Sequence, residues 1–212
     1  VDFTQFDPQK VTPARIIDLA RRWRLPDGVP VVMLPGRLTR WKGQLVLIDA
    51  LARLARPDMH CLLVGAGEGP FRRELAGAVA RHGLSGRVQV LSDCRDMAAA
   101  YMLADVVVSA STDPEGFGRV IVEAQAMGRL VVATDHGGAR ETIVKGETGW
   151  LVPPGDAAAL AAALNEVFAL SSQERMDRGR RAIDHARTYF ATATMTARTL
   201  QVYEELLFPN LS

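Results

Sequence analysis

Asp105-Val106-Val107-Val108-Ser109-Ala110-Ser111-Thr112-Asp113-Pro114-Glu115-Gly116-Phe117-Gly118-Arg119-Val120-Ile121-Val122-Glu123-Ala124-Gln125-Ala126-Met127-Gly128 is the stretch that decides the fold. Its first five residues form a short apolar run without polar alternation, the pattern of a strand buried on both faces. A loop rich in Pro and Gly follows, and then a helical pattern that buries Val120, Ile121 and Val122. Strand, loop and helix in this order form the repeating unit of an α/β domain with a parallel sheet. Two carboxylates, Glu115 in the loop and Glu123 on the helix, stand with seven residues between them. The amides of Phe117, Gly118, Arg119 and Val120 fall in the first turn, where N–H groups lack intrahelical acceptors and favour an anion. The stretch therefore reads as an anion site flanked by two acids that accept hydrogen bonds, suited to a phosphate attached to something rich in hydroxyls.

Working outward, the same unit recurs. Val31 to Leu34, His60 to Val64, Val88 to Leu91, Leu130 to Ala133 and Thr148 to Val152 read as further strands. Helices are expected at Gly43–Ala55, Phe71–His82, Asp96–Leu103 and Ala139–Ile143. Asp156 caps a helix to about Leu170; Ser171 or Ser172 caps another reaching Tyr189; a last helix covers Thr194–Leu207. Ahead of the first strand, Thr12-Pro13 opens a helix to about Arg24, and residues 1–11 read as loop. The expected architecture is a Rossmann-like parallel sheet of about six strands with helices on both faces, plus C-terminal helices. Ligands of such sheets bind at the carboxyl ends of the strands, so the Gly-rich loops there should converge on one crevice.

The composition is that of an ordinary globular chain of 212 residues, and a net charge of +1 gives no field that would draw nucleic acid or a membrane. No apolar run approaches the roughly 20 residues of a membrane span, and no signal peptide is read. Cys61 and Cys94 are expected to be reduced thiols in or near the core. Arg15, Arg21, Arg22 and Arg24 form a basic cluster, read first as a solvated face and second as a contact for a partner domain or anionic membrane. The chain opens on Val-Asp-Phe-Thr without methionine, which suggests a piece of a longer protein.

Three loops bear on chemistry. In Pro35-Gly36-Arg37-Leu38-Thr39-Arg40-Trp41-Lys42-Gly43, Arg37 and Lys42 leave a strand end and suit a diphosphate. Gly65-Ala66-Gly67-Glu68-Gly69-Pro70 approaches the dinucleotide fingerprint, but Pro70 replaces its third glycine and no acid follows near Gly83 to Arg87. NAD is therefore disfavoured, while a tight turn that lets a ligand approach the backbone remains. Asp93-Cys94-Arg95-Asp96 could be taken for a metal-binding acid pair, but the spacing is one residue too long and Asp96 suits a helix cap. His60 and His82 read as structural or surface groups, whereas His136, in a loop at a strand end, could touch a substrate.

Taken together, Gly36-Arg37 with Lys42-Gly43, Glu115-Gly116-Phe117-Gly118 through Glu123-Ala124-x-Ala126-x-Gly128, Gly137-Gly138-x-x-Glu141 and Gly146-x-Thr148-Gly149 resemble the retaining GT-B glycosyltransferases of family 4, the glycosyl transferases of group 1. The resemblance covers about residues 29–170 and corresponds to the C-terminal, donor-binding half of that fold. It implies a linker from a missing N-terminal domain at 1–11, a donor-binding domain at 12–171, and C-terminal helices at 172–212 that pack partly on the missing domain.

The resemblance also implies roles. Arg37 and Lys42 would hold the donor diphosphate, Glu115 would bond hydroxyls of the donor sugar, and these three form the catalytic set. Glu123 would accept from the ribose. Gly36, Gly65, Gly67, Phe117, Gly118, Arg119 and Val120 would complete the donor site, with the segment from Asp93 to Met97, including Arg95, flanking the base. The donor would be a UDP-, GDP- or ADP-sugar, with no cofactor and no metal. The acceptor, a glycan or lipid-linked glycan of surface polysaccharide or lipopolysaccharide assembly, would bind through the missing half, and this piece alone would transfer little or nothing. A cytoplasmic protein with peripheral contact to the inner face of the plasma membrane is implied, and no nucleic-acid partner. Two competing expectations stay open: a nucleotide-sugar binding module without transferase activity, and a Rossmann-type dehydrogenase.

Overall fold

A computed structural model describes residues 1–54, 56–92 and 94–207. Six strands form one parallel sheet: β1 (Val31–Pro35), β2 (His60–Val64), β3 (Val88–Leu91), β4 (Val106–Ser109), β5 (Leu130–Thr134) and β6 (Trp150–Val152). Their spatial order is β3-β2-β1-β4-β5-β6. The order reverses between β1 and β4, and that switch point opens a crevice beyond their carboxyl ends. β4 and the helix it feeds are the stretch from which the fold was read.

The helices are α1 (Pro13–Arg22), α2 (Gln44–Arg53), α3 (Pro70–Arg81), α4 (Met97–Leu103), α5 (Arg119–Ala126), α6 (Ala139–Thr142), α7 (Ala157–Ala169), α8 (Ser172–Phe190) and α9 (Thr192–Leu207). Each strand divides its side chains between two cores, as the two-residue period of a strand requires. Val32, Leu34, Leu63, Val106, Val108 and Val132 pack on one face with Leu47 and Leu51 of α2, Leu75 of α3 and Leu160 and Leu164 of α7. Val31, Met33, Leu62, Val64, Val107 and Val131 face Leu19 of α1, Tyr101 of α4, and Ile121 and Val122 of α5. Both faces are covered, so the strands need no polar alternation.

Caps set several boundaries. Asp96 accepts from the Ala99 amide at 3.1 Å, and Asp156 from Ala158 and Ala159 at 2.9 Å. Ser171 and Glu174 form a reciprocal capping box that starts α8. Thr12, expected as a cap, makes no side-chain cap bond, and Pro13 alone marks the start of α1. That helix ends at Arg22 rather than Arg24, because Arg24 adopts φ 49° and turns the chain.

Four further expectations differ. Residues 1–11 are not only loop: Pro8–Lys10 forms a 3-10 turn, and Phe6 and Val11 are buried in the α1–α4–α5 core. The last strand begins at Trp150; Thr148, ahead of it, instead accepts from the Val144 amide at 2.9 Å and from Gln125 at 3.2 Å. The α2 helix ends at Arg53, and Ala55 lies outside the described residues. The C-terminal helices divide: α8 packs on α5, where a Cβ on Gly179 would lie 2.7 Å from the Gly128 carbonyl oxygen. By contrast α9 leaves Met195, Leu200, Val202, Tyr203, Leu206 and Leu207 more than half exposed. Cys61 is a free, buried thiol, pushed up by burial; Cys94 is also outside any disulfide. Among the described residues no helix is long and apolar enough to cross a membrane.

Candidate functional site

The crevice at the switch point is a cleft of about 230 Å³, lined by Pro35, Gly36, Arg37, Val64, Gly65, Ala66, Met97, Tyr101, Val120 and Glu123. Its floor is the carboxyl ends of β1 and β2, and one wall is the start of α5. The loops after β1 and β2 touch here: a Cβ on Gly65 would stand 2.0 Å from the Gly36 carbonyl oxygen, so only glycine allows the contact. Arg37 is exposed at the mouth and forms no ion pair with the described residues. Its carbonyl accepts from the buried Gln44 side chain at 2.9 Å, which ties this loop to α2.

Glu123 lies on the α5 face that meets the cleft and is only 7 % exposed. Its Oε2 accepts from the Tyr101 hydroxyl at 2.9 Å, and its Oε1 accepts from the Arg119 guanidinium at 3.1 Å, one turn away on the helix. Tyr101 is fully buried, and its ring meets that of Phe6 edge-on at 6.0 Å. Burial, reinforced by the Glu123 charge, holds the phenol well above its ordinary range, so it remains a donor at working pH. Arg119 bonds Glu123 from the exposed side.

Glu115 is held differently. Lys42 Nζ lies 2.8 Å from its Oε1, with both side chains less than a fifth exposed. The Ser111 hydroxyl donates to the same oxygen. The Lys42 stem passes Gly36, whose Cβ would sit 3.6 Å from Lys42 Cδ, and the ammonium lies 4.3 Å from the Trp41 ring centre. Gly43, next in the chain, meets the backbone after β4: a Cβ there would fall 1.8 Å from the Ala110 carbonyl oxygen. Close approach of these two backbones brings Lys42 to Glu115.

A third loop braces the arrangement. The Gly138 amide donates to the Glu115 carbonyl at 2.8 Å, and side chains on Gly137 or Gly138 would collide with the backbone of Glu115 or Phe117. From the same loop, His136 Nε2 donates to the Ser111 carbonyl at 2.7 Å, and Thr134 Oγ1 donates to it at 2.8 Å. A carbonyl only accepts, so Nε2 is the donor in this bond, and the buried Nδ1 has no hydrogen-bond partner among the described residues.

The structure thus brings Gly36, Arg37, Gly65, Met97, Val120 and Glu123 into the cleft, with Lys42 and Glu115 at its edge. Gly118 caps α5 in the left-handed region at φ 75°, and the Arg119 and Val120 amides open the helix. Two expected residues, Arg95 and Gly67, stand elsewhere. Arg95 is exposed and does not line the cleft. Phe117, expected to act through its amide, meets Gly138 with its backbone and turns its ring to within 5.7 Å of Phe190. Gly67 packs against Leu38, where a Cβ would lie 2.5 Å from the Leu38 Cβ. The suspected acid pair at 93–96 resolves in part: Asp96 caps α4 and is held by Arg15 through two bonds of 2.7 and 3.0 Å, while Asp93 lies outside the described residues. Sequence reading missed Tyr101, whose hydroxyl meets Glu123 on another helix, and Ser111, whose hydroxyl meets the nearby Glu115. His136, expected as a candidate substrate contact, braces the Ser111 backbone through its Nε2.

A larger cavity of about 460 Å³ lies at the amino-terminal ends of the strands, beside the starts of β4 and β5. The Arg129 guanidinium there is spent on the Met127 and Ala104 carbonyls.

The model of the family described as glycosyl transferases group 1 matches residues 16–185. The chain belongs to this family. A phosphatidyl-myo-inositol mannosyltransferase of Mycolicibacterium smegmatis is 34 % identical over 222 residues, covering 89 % of this chain and 56 % of that protein. An alpha-D-kanosaminyltransferase of Streptomyces kanamyceticus is 36 % identical over 145 residues, covering 68 % of this chain and 37 % of that protein. Among solved structures, a glycosyltransferase from Rickettsia africae superposes with a TM-score of 0.94 at 35 % identity, over 98 % of this chain and 56 % of that one. Anabaena HepE in complex with UDP-glucose superposes with a TM-score of 0.87 at 33 % identity, over 97 % of this chain and 56 % of that one. The chain spans about half the length of the curated relatives it matches. Its six-stranded sheet with helices on both faces matches the Rossmann-like half of GT-B glycosyltransferases.

Proposed function

We propose that this chain is the donor-binding domain of a retaining, hexosyltransferase-type glycosyltransferase. The enzyme would move a sugar from a nucleoside diphosphate sugar to a glycan or lipid-linked acceptor of surface polysaccharide or lipopolysaccharide assembly. One observation carries the reading: a cleft at the β1/β4 switch point with Glu123 on its wall and Lys42 paired to Glu115 at its edge. The UDP-glucose in the HepE complex supports the donor class. Glu123 accepts from the ribose, the diphosphate lies against Arg37, Lys42 and the first amides of α5, and Glu115 bonds hydroxyls of the sugar. In transfer, the acceptor oxygen bonds to the anomeric carbon on the face the diphosphate leaves, and the bond from that carbon to the phosphate oxygen breaks. The acceptor proton passes to the departing phosphate oxygen. Two cations beside that oxygen meet the developing charge, the largest common source of rate enhancement, without a metal or cofactor.

On this reading the acceptor binds between this domain and a second one, and this domain alone transfers little. The exposed apolar face of α9 would pack on that second domain. The full protein would be cytoplasmic, with peripheral contact to the membrane. The test is calorimetry of the 212-residue chain against UDP-, GDP- and ADP-sugars, with and without EDTA. Saturable binding of one of them, unchanged by EDTA, is expected. Preferential binding of NAD would overturn the reading. Donor binding by a whole protein that transfers no sugar would favour a non-catalytic binding module.

A further inference from the structure

The cleft holds one buried polar group that the donor reading leaves without a task. Tyr101 is fully buried on α4, its ring fixed against Phe6, and its hydroxyl is committed to Glu123 Oε2 at 2.9 Å. Arg119 takes one position on Oε1 at 3.1 Å. An ionised carboxylate offers about four acceptor positions, two on each oxygen. One on each oxygen is therefore occupied, and one on each remains. Both Glu123 and Tyr101 line the cleft. A carboxylate turns easily about its last torsion, and a donor that cannot move is what stops it turning.

We propose that Tyr101 is a positioning residue that sets the cleft's selectivity for ribose over 2′-deoxyribose. Its phenol fixes the Glu123 carboxylate so that the two free acceptor positions, one on each oxygen, meet the two vicinal hydroxyls of a ribose together. A 2′-deoxyribose supplies one hydroxyl and leaves the second acceptor unmet in a nearly buried site. Without the Tyr101 hydroxyl the carboxylate can rotate to meet a single hydroxyl, and the penalty against the deoxy sugar falls. Protonation of the phenol at working pH agrees with a donor that never becomes a competing anion. The proposal rests on the nucleotide reading of the cleft given above.

The test compares calorimetric affinities of the 212-residue chain for UDP and 2′-deoxy-UDP, and for GDP and 2′-deoxy-GDP, using the base that binds more tightly. The wild-type chain is expected to prefer the ribonucleotide by about tenfold or more. In Tyr101→Phe that preference should fall by about fivefold or more. A structural role alone would lower the unfolding midpoint and weaken both ligands equally, so an unchanged preference in a folded Tyr101→Phe overturns the proposal. If Tyr101→Phe does not fold, 3-fluorotyrosine placed at position 101 keeps the shape and strengthens the donor. It should raise the preference, and no change overturns the proposal. Glu123→Gln separates the two levels. If it weakens ribonucleotide binding while Tyr101→Phe leaves the preference intact, only the Tyr101 role fails. If it has no effect, or if the wild-type chain binds neither nucleotide, the nucleotide reading fails and the Tyr101 role with it.

Discussion

Glu115 and Glu123 are the same residue type on the same strand–loop–helix unit, and the molecule holds them by different physics. Glu123 rides on α5, nearly buried, against one neutral donor, Tyr101, and one exposed cation, Arg119. Glu115 sits in an irregular loop whose shape comes from other loops: the Gly138 amide on its carbonyl, and Lys42 and Ser111 on its carboxylate. The first is a site preorganised by a helix and a phenol. The second is assembled from three chain segments around an ion pair, and one partner of that pair is also a cation proposed to face the diphosphate. A ligand can use Glu123 as it stands, whereas at the other end it must share or take over the Lys42–Glu115 contact. The difference separates affinity, expected at the Glu123 end, from chemistry, expected at the Glu115 end.

The sharpest way to break that comparison is Lys42→Ala in the whole protein. It removes the cation beside the leaving oxygen and leaves Glu115 partly buried without its counter-charge. The expected loss in kcat is about 10²–10³-fold, the range for deleting one charge-stabilising donor, and sugar-transfer kinetics measure it. Glu115→Ala should reduce kcat more than it weakens donor affinity. Retention of normal turnover by both variants would sink the site assignment.

At the other end, Glu123→Ala should weaken UDP or GDP binding by about ten- to a hundredfold, from hydrogen bonds to a charged group worth about 1.5–3 kcal/mol. It should also destabilise the fold by about 1–3 kcal/mol, because the buried Tyr101 hydroxyl loses its acceptor. Calorimetry and urea unfolding read the two effects separately. A large loss of kcat with unchanged affinity would reverse the roles of the two ends.

The smallest effect concerns the cap that holds Tyr101's helix. Asp96→Asn should cost about 1 kcal/mol in urea unfolding, since asparagine still caps but loses the Arg15 pairing. The hydrogen bonds from Arg15, followed by that from the Ala99 amide, hold the Asp96 carboxyl below its ordinary value. A depressed folded pKa means a contribution present above the unfolded value near 4 and lost as pH falls through the folded one. Wild type and variant should therefore differ in stability at pH 7 and converge below about pH 4. A constant difference down to low pH would show that Asp96 acts through shape rather than charge.

Much of the fold was legible because its signals are local. Continuous apolar runs gave the buried strands of β1, β2, β4 and β5, and Asp96, Asp156 and Ser171 announced helix starts that the structure forms. Where reading failed, a distant segment decided. Phe6 and Val11 fell in a stretch read as loop because their burial depends on α4, α5 and β1 arriving elsewhere in the chain. The Phe117 ring meets Phe190 on α8, a contact that no residue near it in sequence announces. Tyr101 follows a run of alanines on α4, and nothing within a helical turn of it reveals that its hydroxyl finds Glu123.

By itself the sequence determined an alternating α/β chain, the loops that leave strand ends, and the pair of acids around a helix start, because periodicity, capping and turn chemistry act over a few residues. Only the tertiary structure decided that the strand order reverses between β1 and β4, that Lys42 pairs with Glu115, that His136 and Thr134 brace Ser111, and that Tyr101 locks Glu123. Those contacts join groups far apart in sequence. They depend on sheet register and on glycines whose missing side chains let two backbones meet, and residue types in order do not record such distances.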